Sequence, residues 1–312
     1  MRKVGFVFPG QGAQYVGMGK ELYDNFSEAR EVFNRADEIL GRNISNLCFQ
    51  GPMEELTSTD NTQVAILTTS IAALEVLKKH NINPSMVAGL SLGEYSALVA
   101  SGTLSFEDAL SLVEKRGRFM KEDSDKKKGE MAAVLGISEE IIQEVCNQCR
   151  DLGVISIANY NCPGQIVIAG EMEPLNKAIE LLSEKGAKKI IKLPVSGAFH
   201  TELLENASNR LRKELDMVDF KAFSVNFIPN LTGDILESVE NLKDILKNQV
   251  KNSVQWEKSI NTMINEGVDT FIEVGPGKAL SGFVKKVNRS LKVYNVEDMA
   301  SLNKVLETLI EN

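Results

Sequence analysis

The chain has 312 residues, of which 43% are hydrophobic and 25% charged, and its formal net charge is −8. This length allows one large domain or two unequal ones, each with a sizeable core. The acidic balance argues against nucleic acid as a partner, and no polybasic patch indicates a membrane surface. No apolar run approaches the ~20 residues that span a bilayer, and residues 1–9 resemble a first strand rather than a signal peptide.

The four cysteines are few and unevenly spread, which indicates no disulfide framework. Cys146 and Cys149 form a Cys-x-x-Cys pair late in a helical pattern, and no second pair completes a zinc site. We therefore predict no metal and a reducing, cytoplasmic location. No long apolar stripe indicates an interface between copies, so a monomer is expected, although the sequence leaves the oligomeric state open.

Strand-like and helical patterns alternate in the first third of the chain. The predicted elements are a strand at 4–8, helices at 19–25, 29–40 and 62–79, a strand at 86–89, and helices at 92–100 and 105–122. This alternation is typical of a parallel, doubly wound sheet covered by helices.

A charged segment at 121–129 then predicts a solvated linker. It is followed by a strand at 131–135, a helix at 138–149, a strand at 154–159, a turn at 161–164, a strand at 165–169, a helix at 174–185 and a strand at 188–193. This β-α-β-β-α-β order is the ferredoxin-like one. We predict a small domain at 129–195 inserted into a large domain made of residues 1–128 and 196–312.

The α/β alternation resumes after the predicted insertion. The pattern gives a helix at 201–215, a strand at 224–228, helices at 241–250 and 257–266, a strand at 270–274, a further helix, a strand at 291–296 and a closing helix. These strands are expected to complete the parallel sheet of the large domain.

Ser91 lies in Gly-x-Ser-x-Gly between the strand at 86–89 and an apolar helix. Flanking glycines permit a sharp turn that lifts the hydroxyl above the sheet, and the following helix directs free N–H groups at the same place. The pattern predicts a nucleophilic serine. Its alternative is an ordinary strand–helix turn in which Ser91 caps the helix.

A serine nucleophile needs a base, and the chain contains only two histidines. His80 ends a helix beside lysines and is most simply a helix-end residue. His200 lies where the small domain returns the chain to the large one, and such junctions border clefts. If a Ser–His pair exists, it joins Ser91 to His200.

A glycine-flanked loop at 8–14 follows the first strand. Its Gly-x-Gly suggests a dinucleotide site, but the third glycine is misplaced and Pro9 does not fit that motif. As an alternative, the backbone N–H of Gln11 supplies one donor of an oxyanion hole, and the N–H of Leu92 supplies the other.

Four segments together resemble the malonyl-CoA:acyl carrier protein transacylase family of type II fatty-acid synthesis. They are Phe8-Pro9-Gly10-Gln11-Gly12, Gly89-x-Ser91-Leu92-Gly93-Glu94, Gly197-Ala198-Phe199-His200 and Glu273-Val274-Gly275-Pro276-Gly277. Because they occur in the family's order along nearly the whole chain, the combination is highly specific. The resemblance implies a hydrolase-like α/β domain with a ferredoxin-like insertion, in agreement with the element pattern.

The resemblance also implies site residues. Ser91 would take the acyl group, His200 would be the base, and the backbone amides of Gln11 and Leu92 would hold the oxyanion. Arg116 matches the arginine that binds the malonyl carboxylate, and a guanidinium supplies two parallel hydrogen bonds to such a group. Taken alone, Arg116 would be a surface arginine on a helix.

Further positions follow from the same resemblance. Gln249 matches the position whose main-chain carbonyl orients the histidine, so no acidic third member is required. Asn161 and Gln165 would line the substrate tunnel, and Phe199 is the residue associated with malonyl rather than methylmalonyl.

Two surface lysines and one unusual residue complete the comparison with the family. Lys188 and Lys189 are candidates for contacts with CoA phosphates or with the acidic helix of the carrier, or are simply solvated lysines at a strand edge. Leu90 departs from the family, which usually has histidine before the serine, and this puts in doubt any hydrogen bond that the imidazole makes around the turn.

The predicted reaction is ping-pong transfer of malonyl from malonyl-CoA, through a malonyl-serine ester, to the phosphopantetheine thiol of acyl carrier protein. The CoA thioester is the substrate, and no ATP, metal or redox cofactor is expected. Three alternatives remain: a serine hydrolase or thioesterase, an acyltransferase of a polyketide pathway, and a binding module without turnover.

Overall fold

Two β-sheets organise the structure, a computed structural model that describes residues 3–309. The parallel sheet has the strand order β7-β2-β1-β8-β9, and the antiparallel sheet has the order β4-β5-β3-β6. The strands are β1 Val4–Phe8, β2 Met86–Gly89, β3 Gly129–Leu135, β4 Ile155–Cys162, β5 Gln165–Glu171, β6 Lys189–Lys192, β7 Asn226–Ile228, β8 Thr270–Val274 and β9 Lys292–Val296.

Helices connect and cover these strands. They are α1 Lys20–Asn25, α2 Ser27–Leu40, α3 Ile44–Gln50, α4 Met53–Thr57, α5 Thr59–Lys79, α6 Gly93–Ala100, α7 Phe106–Lys126, α8 Glu139–Cys149, α9 Met172–Glu184, α10 Glu205–Asp216, α11 Leu242–Gln249, α12 Trp256–Asn265, α13 Ala279–Val287 and α14 Met299–Leu309. Within residues 3–309, none of them is both long and apolar enough to cross a membrane.

The parallel sheet is buried on both faces, as sheets covered by helices are. Phe6 and Phe8 of β1 contribute to the core on one side, which includes α5, whereas Val7 packs on the other side with Trp256 and Phe271. Because successive side chains of a strand point to opposite faces, one apolar strand serves both cores. The predicted α/β fold class is confirmed.

The carboxyl ends of the parallel strands meet at one edge of the sheet. The loop at 9–14 follows β1, Ser91 follows β2, and residues 275–277 follow β8. The strand pairing β1 with β2 and with β8 therefore brings together three of the sequence segments that carried the family resemblance.

The antiparallel sheet packs one face against α8 and α9, through a separate apolar cluster that includes Ile142, Ile168 and Leu175. Its strand order is that of a ferredoxin-like β-α-β-β-α-β unit. The edge strand β4 also bonds to the segment before α12: Tyr160 N–H donates to the Val254 carbonyl at 2.9 Å, and Val254 N–H donates to the Ala158 carbonyl at 2.8 Å. These bonds fix the antiparallel sheet against the rest of the protein.

The charged segment at 121–129 is not the solvated linker that its composition predicted. Helix α7 continues to Lys126, and Asp123 and Ser124 on its inner face are buried. The Asp123 carboxylate accepts hydrogen bonds from Asn206 Nδ2 at 2.8 Å and from Ala207 N–H at 2.6 Å. Contacts with α10 thus stabilise the last turns of α7, although the charged composition of these residues predicts a solvent-exposed segment.

Two further expectations need correction, and two short helices were missed. The helix expected at 201–215 begins only at Glu205, after a 3₁₀ turn at Glu202–Leu204 that follows His200 in a left-handed conformation. Asn161, expected in a turn, lies in β4, and the hairpin turn is confined to residues 163–164. Helices α3 and α4 were not predicted, because each is too short to give a clear periodic pattern.

Replacing Asp123 with alanine is expected to lower the free energy of unfolding by about 2 kcal/mol, since the buried Ala207 N–H and the Asn206 side chain on α10 lose a charged acceptor. Urea denaturation measures this change. Asp125→Ala, at an exposed position on the same turn of α7, is the matched control and should leave the stability nearly unchanged. Equal effects of the two substitutions would contradict the burial of Asp123.

Candidate active site

The turn at Ser91 is tightly packed. Ser91 has a φ of 52°, in the left-handed region that few residues other than glycine adopt. A Cβ added at Gly89 would lie 1.9 Å from the backbone of Gly93, and one added at Gly93 would lie 2.2 Å from the Phe8 carbonyl oxygen. Glycine is therefore required on both sides of Ser91, as in a strand–turn–helix that raises a serine nucleophile above a sheet.

Ser91 and His200 are in direct contact. His200 Nε2 lies 2.8 Å from Ser91 Oγ, and His200 Nδ1 lies 2.9 Å from the main-chain carbonyl oxygen of Gln249. A carbonyl oxygen only accepts, so Nδ1 carries the proton and Nε2 is free to accept from the serine hydroxyl. This arrangement is that of a serine and its general base.

The imidazole of His200 is held in its neutral form. Burial, together with the positive charge of Arg116, lowers the pKa of His200 from 6.5 to about 4. At neutral pH the ring is therefore unprotonated and able to take the serine proton. The other histidine, His80, caps the C-terminus of α5 and packs edge-on against Phe26, as the helix-end interpretation predicted.

Arg116 is buried beside the serine rather than exposed on its helix. Its Nη1 donates to Gln63 Oε1 at 2.7 Å, and its Nη2 lies 3.1 Å both from Ser91 Oγ and from Gln249 Oε1. No carboxylate within residues 3–309 forms an ion pair with it, and its Nε has no hydrogen-bond partner there. Burial lowers the pKa of Arg116, and an anionic ligand would supply the missing partner.

A cavity of about 250 Å³ opens beside these groups. Its walls come from the loop after β1, the turn at Ser91, α13 and the inner face of the antiparallel sheet. That face contributes the apolar side chains of Met131, Ala133 and Val167, together with an equal number of polar ones. A largely apolar cleft with a few polar groups at its base is the usual form of a small-molecule site.

The two predicted oxyanion donors border this same cavity. Gln11 and Leu92 line it, and their backbone N–H groups make no hydrogen bond within residues 3–309. The side chain of Gln11 is turned aside, where Nε2 donates to Thr59 Oγ1 at 3.3 Å. Two unpaired amides near a nucleophile are suited to a developing oxyanion.

The remaining predicted residues are divided between the cavity and the surface. Asn161 and Phe199 line the cavity, and Asn161 Oδ1 is buried without a partner in the described chain. Gln165 also lines the cavity and accepts a hydrogen bond from Lys286 at 3.2 Å. Lys188 and Lys189 are not among its lining residues.

Leu90 contributes an apolar part of the cavity wall and packs with the cluster that contains Leu280. The turn is bonded by its backbone instead of by a side chain at this position: Leu90 N–H donates to the Phe8 carbonyl at 3.0 Å, and Gly93 N–H donates to the Leu90 carbonyl at 2.9 Å. The missing imidazole therefore leaves the turn intact.

Sequence reasoning missed Gln63, Asn159 and Asn230. Gln63 is a buried polar residue in α5, a helix in which most residues are buried. A polar residue in such an apolar helix could have indicated a functional position. Asn159 lines the cavity two residues before Asn161, at irregular pairing between β4 and β5. Asn230 follows β7 and bonds to the turn at Ser91, which no spacing in the sequence indicates.

Within residues 3–309, no group of three or more His, Cys, Asp or Glu side chains is placed to hold a metal ion. Cys146 and Cys149 are instead buried among the apolar residues beneath the antiparallel sheet.

Comparisons with known proteins agree with this geometry. A model of the acyl transferase domain matches residues 5–310, and the chain therefore belongs to the acyl transferase family. The malonyl CoA-acyl carrier protein transacylase of Bacillus subtilis is 49% identical over 312 residues, covering 100% of this chain and 98% of that protein.

Solved structures give the same result. The crystal structure of malonyl CoA-acyl carrier protein transacylase from Clostridium perfringens matches with a TM-score of 0.95 and 47% identity, covering 99% of this chain and 98% of that one. A structure described as a type II PKS acyl-carrier protein in complex with its malonyl-transacylase matches with a TM-score of 0.95 and 36% identity, covering 98% and 99%.

The reactivity of Ser91 is expected to depend on pH through His200. Since the folded imidazole is neutral above about pH 4, labelling of Ser91 by a fluorophosphonate should stay level from about pH 8 to about pH 5 and fall only below that. In His200→Ala, labelling should be slower by about 10²- to 10⁴-fold. An acid limb centred near the ordinary histidine pKa would contradict the buried, neutral ring.

Proposed function

We propose that this chain is a malonyl-CoA:acyl carrier protein S-malonyltransferase that supplies fatty-acid synthesis. One observation carries the proposal: Ser91 Oγ lies 2.8 Å from the base nitrogen of His200 and 3.1 Å from the guanidinium of Arg116, which has no carboxylate partner within residues 3–309. The substrate must therefore carry an anion very close to the carbonyl that is attacked. Malonyl fits, because a single methylene separates its carboxylate from its thioester carbonyl.

The first half-reaction forms an ester on Ser91. As Ser91 Oγ attacks the thioester carbonyl, its proton passes to His200 Nε2, and the negative charge that develops on the carbonyl oxygen is held by the N–H groups of Gln11 and Leu92. The carbonyl then re-forms, the C–S bond breaks, and the CoA thiolate takes the proton from His200. The Gln249 carbonyl stabilises the transient imidazolium through Nδ1–H.

The second half-reaction transfers the malonyl group to the carrier. The phosphopantetheine thiol of acyl carrier protein gives its proton to His200 and attacks the malonyl-serine ester. The C–O bond breaks, and Ser91 takes the proton back. Because both steps use the same base and the same oxyanion donors, one site serves two thiols in turn. The names of the relatives at 39–49% identity, which state this activity, support the assignment.

Three groups shape the acyl end of the cavity in this proposal. Arg116 binds the malonyl carboxylate through two parallel hydrogen bonds, and Gln63 and Gln249 hold the guanidinium in place through their side-chain oxygens. The unpartnered Asn161 Oδ1 accepts from an N–H of the pantetheine arm farther out.

We also propose that residues 129–195 form a small domain set into a large one made of residues 1–128 and 196–312. The antiparallel sheet supports this division, since all of its strands lie between Gly129 and Lys192. The chemistry uses the CoA thioester as substrate and calls for no further cofactor. A reducing, cytoplasmic location accords with the four free cysteines, and a monomer remains our expectation.

Intact-mass spectrometry after mixing with malonyl-CoA tests the proposed function. The expected product is one malonyl group on the protein, absent in Ser91→Ala and lost again when holo-acyl carrier protein is added, with malonyl appearing on the carrier. Release of free malonate instead would identify a hydrolase or thioesterase, and no adduct would identify a binding module. Comparing carriers of fatty-acid and polyketide systems separates the two transferase alternatives.

Substitution of Arg116 tests the carboxylate contact. Arg116→Ala should lower kcat/KM for malonyl-CoA by about 10²-fold or more, because the malonyl carboxylate loses its binding partner. The value of kcat/KM for acetyl-CoA should change much less, because acetyl has no carboxylate. Arg118→Ala, at an exposed position on the same helix, is the matched control. An unchanged malonyl-to-acetyl ratio in Arg116→Ala would show that the carboxylate binds elsewhere.

A further inference from the structure

The backbone of Ser91 is held by two side-chain amides. Its N–H donates to Asn230 Oδ1 at 2.6 Å, and its carbonyl accepts from Gln249 Nε2 at 2.9 Å. Ser91 has a left-handed φ of 52°, a conformation that is strained in a residue other than glycine. Such a conformation persists only where its surroundings impose it.

Asn230 spans the turn from the neighbouring strand. It follows β7, which pairs with β2, and its side chain is fully buried. While Oδ1 accepts from Ser91 N–H, Nδ2 donates to the Gly89 carbonyl at 2.6 Å. One amide group thus joins the two residues on either side of Leu90 and fixes the turn at both ends.

Asn230 is itself held in place through its main chain. Its carbonyl accepts from Gln255 N–H at 2.8 Å, and its N–H donates to Oε1 of Glu94, a fully buried residue in the first turn of α6. Burial raises the pKa of Glu94 to about 8, although the bond from Asn230 and the charge of Arg116 act in the opposite direction. The Glu94 carboxyl group therefore serves as an acceptor inside the protein, for the Asn230 N–H and for the side chain of Gln249.

We propose that Asn230 is a positioning residue for the acyl transfer: it holds Ser91 in the left-handed conformation from which Oγ reaches both His200 and Arg116. This inference rests on the proposed function. Without Asn230 the turn relaxes, and Oγ moves relative to the imidazole and the guanidinium. A misplacement of about 1 Å is enough to cost up to 10²-fold in rate.

The rate at which malonyl-CoA acylates Ser91 in a single turnover tests this role, measured beside the KM for malonyl-CoA and the thermal stability. In Asn230→Ala the acylation rate should fall by about 10- to 100-fold, while KM changes by less than about threefold because the cavity and Arg116 remain. Asn206→Ala is the matched control: its Nδ2 bonds to buried Asp123, away from the turn. It should lower the stability and leave acylation unchanged.

A second variant covers the case in which Asn230→Ala does not fold. Asn230→Asp has the same shape and still accepts from Ser91 N–H, but it no longer donates to the Gly89 carbonyl, so acylation at neutral pH should fall by at least about fivefold. Acylation at the unsubstituted rate in either variant would overturn the inference. It would also be overturned if Asn206→Ala, at a similar loss of stability, slowed acylation as much as the Asn230 variants do.

A fluorophosphonate separates failure of this inference from failure of the proposed function. If the unsubstituted protein reacts with the probe but not with malonyl-CoA, the proposed function fails, and the same variants compared with the probe still test the role of Asn230 on Ser91. If the unsubstituted protein takes malonyl, and the variants react with malonyl-CoA and with the probe as fast as the unsubstituted protein does, only the inference fails.

Discussion

The rest of the site depends on one constraint: a buried positive charge that contacts a serine oxygen and has no carboxylate partner in the described part of the chain. The Arg116 guanidinium is satisfied only in part, by the side-chain oxygens of Gln63 and Gln249 and by Ser91 Oγ. Removing a cation from water is costly, so the surrounding fold must supply that energy through its packing. The proposed substrate carboxylate completes the set of partners that the protein leaves open.

The same charge also determines the state of the base. Together with burial, it lowers the pKa of His200, so the imidazole is neutral at the pH where it has to accept a proton. Its Nδ1 partner is a main-chain carbonyl of Gln249 rather than a carboxylate, which fixes the tautomer without adding a negative charge. In the proposed reaction one arginine therefore serves substrate binding and base chemistry together, and Gln249 contacts both the arginine and the histidine.

Prediction from sequence succeeded where the signal is local. The alternation of strands and helices indicated the α/β class, and glycines around Ser91 marked the turn, because only glycine fits the close approach to Gly93 and Phe8. It failed at the charged end of α7, where Asp123 is buried by α10, and at Asn161, which belongs to a strand. At α7 a contact with a distant helix outweighs the local preference, whereas at Asn161 the pairing of β4 with β5 continues to Cys162 and leaves a shorter turn than expected.

The sequence by itself determined the fold class, the serine turn and the family resemblance, since these depend on residue order and on short-range backbone geometry. The resemblance named His200, Arg116 and Gln249, but only the tertiary structure decided how these residues contact Ser91 and added Asn230 to them. Asn230, Gln249, His200 and Arg116 come from different elements and lie between 25 and 158 positions away from it. Their convergence follows from the order of parallel strands and from the docking of the antiparallel sheet, and neither is encoded in the spacing of residues along the chain.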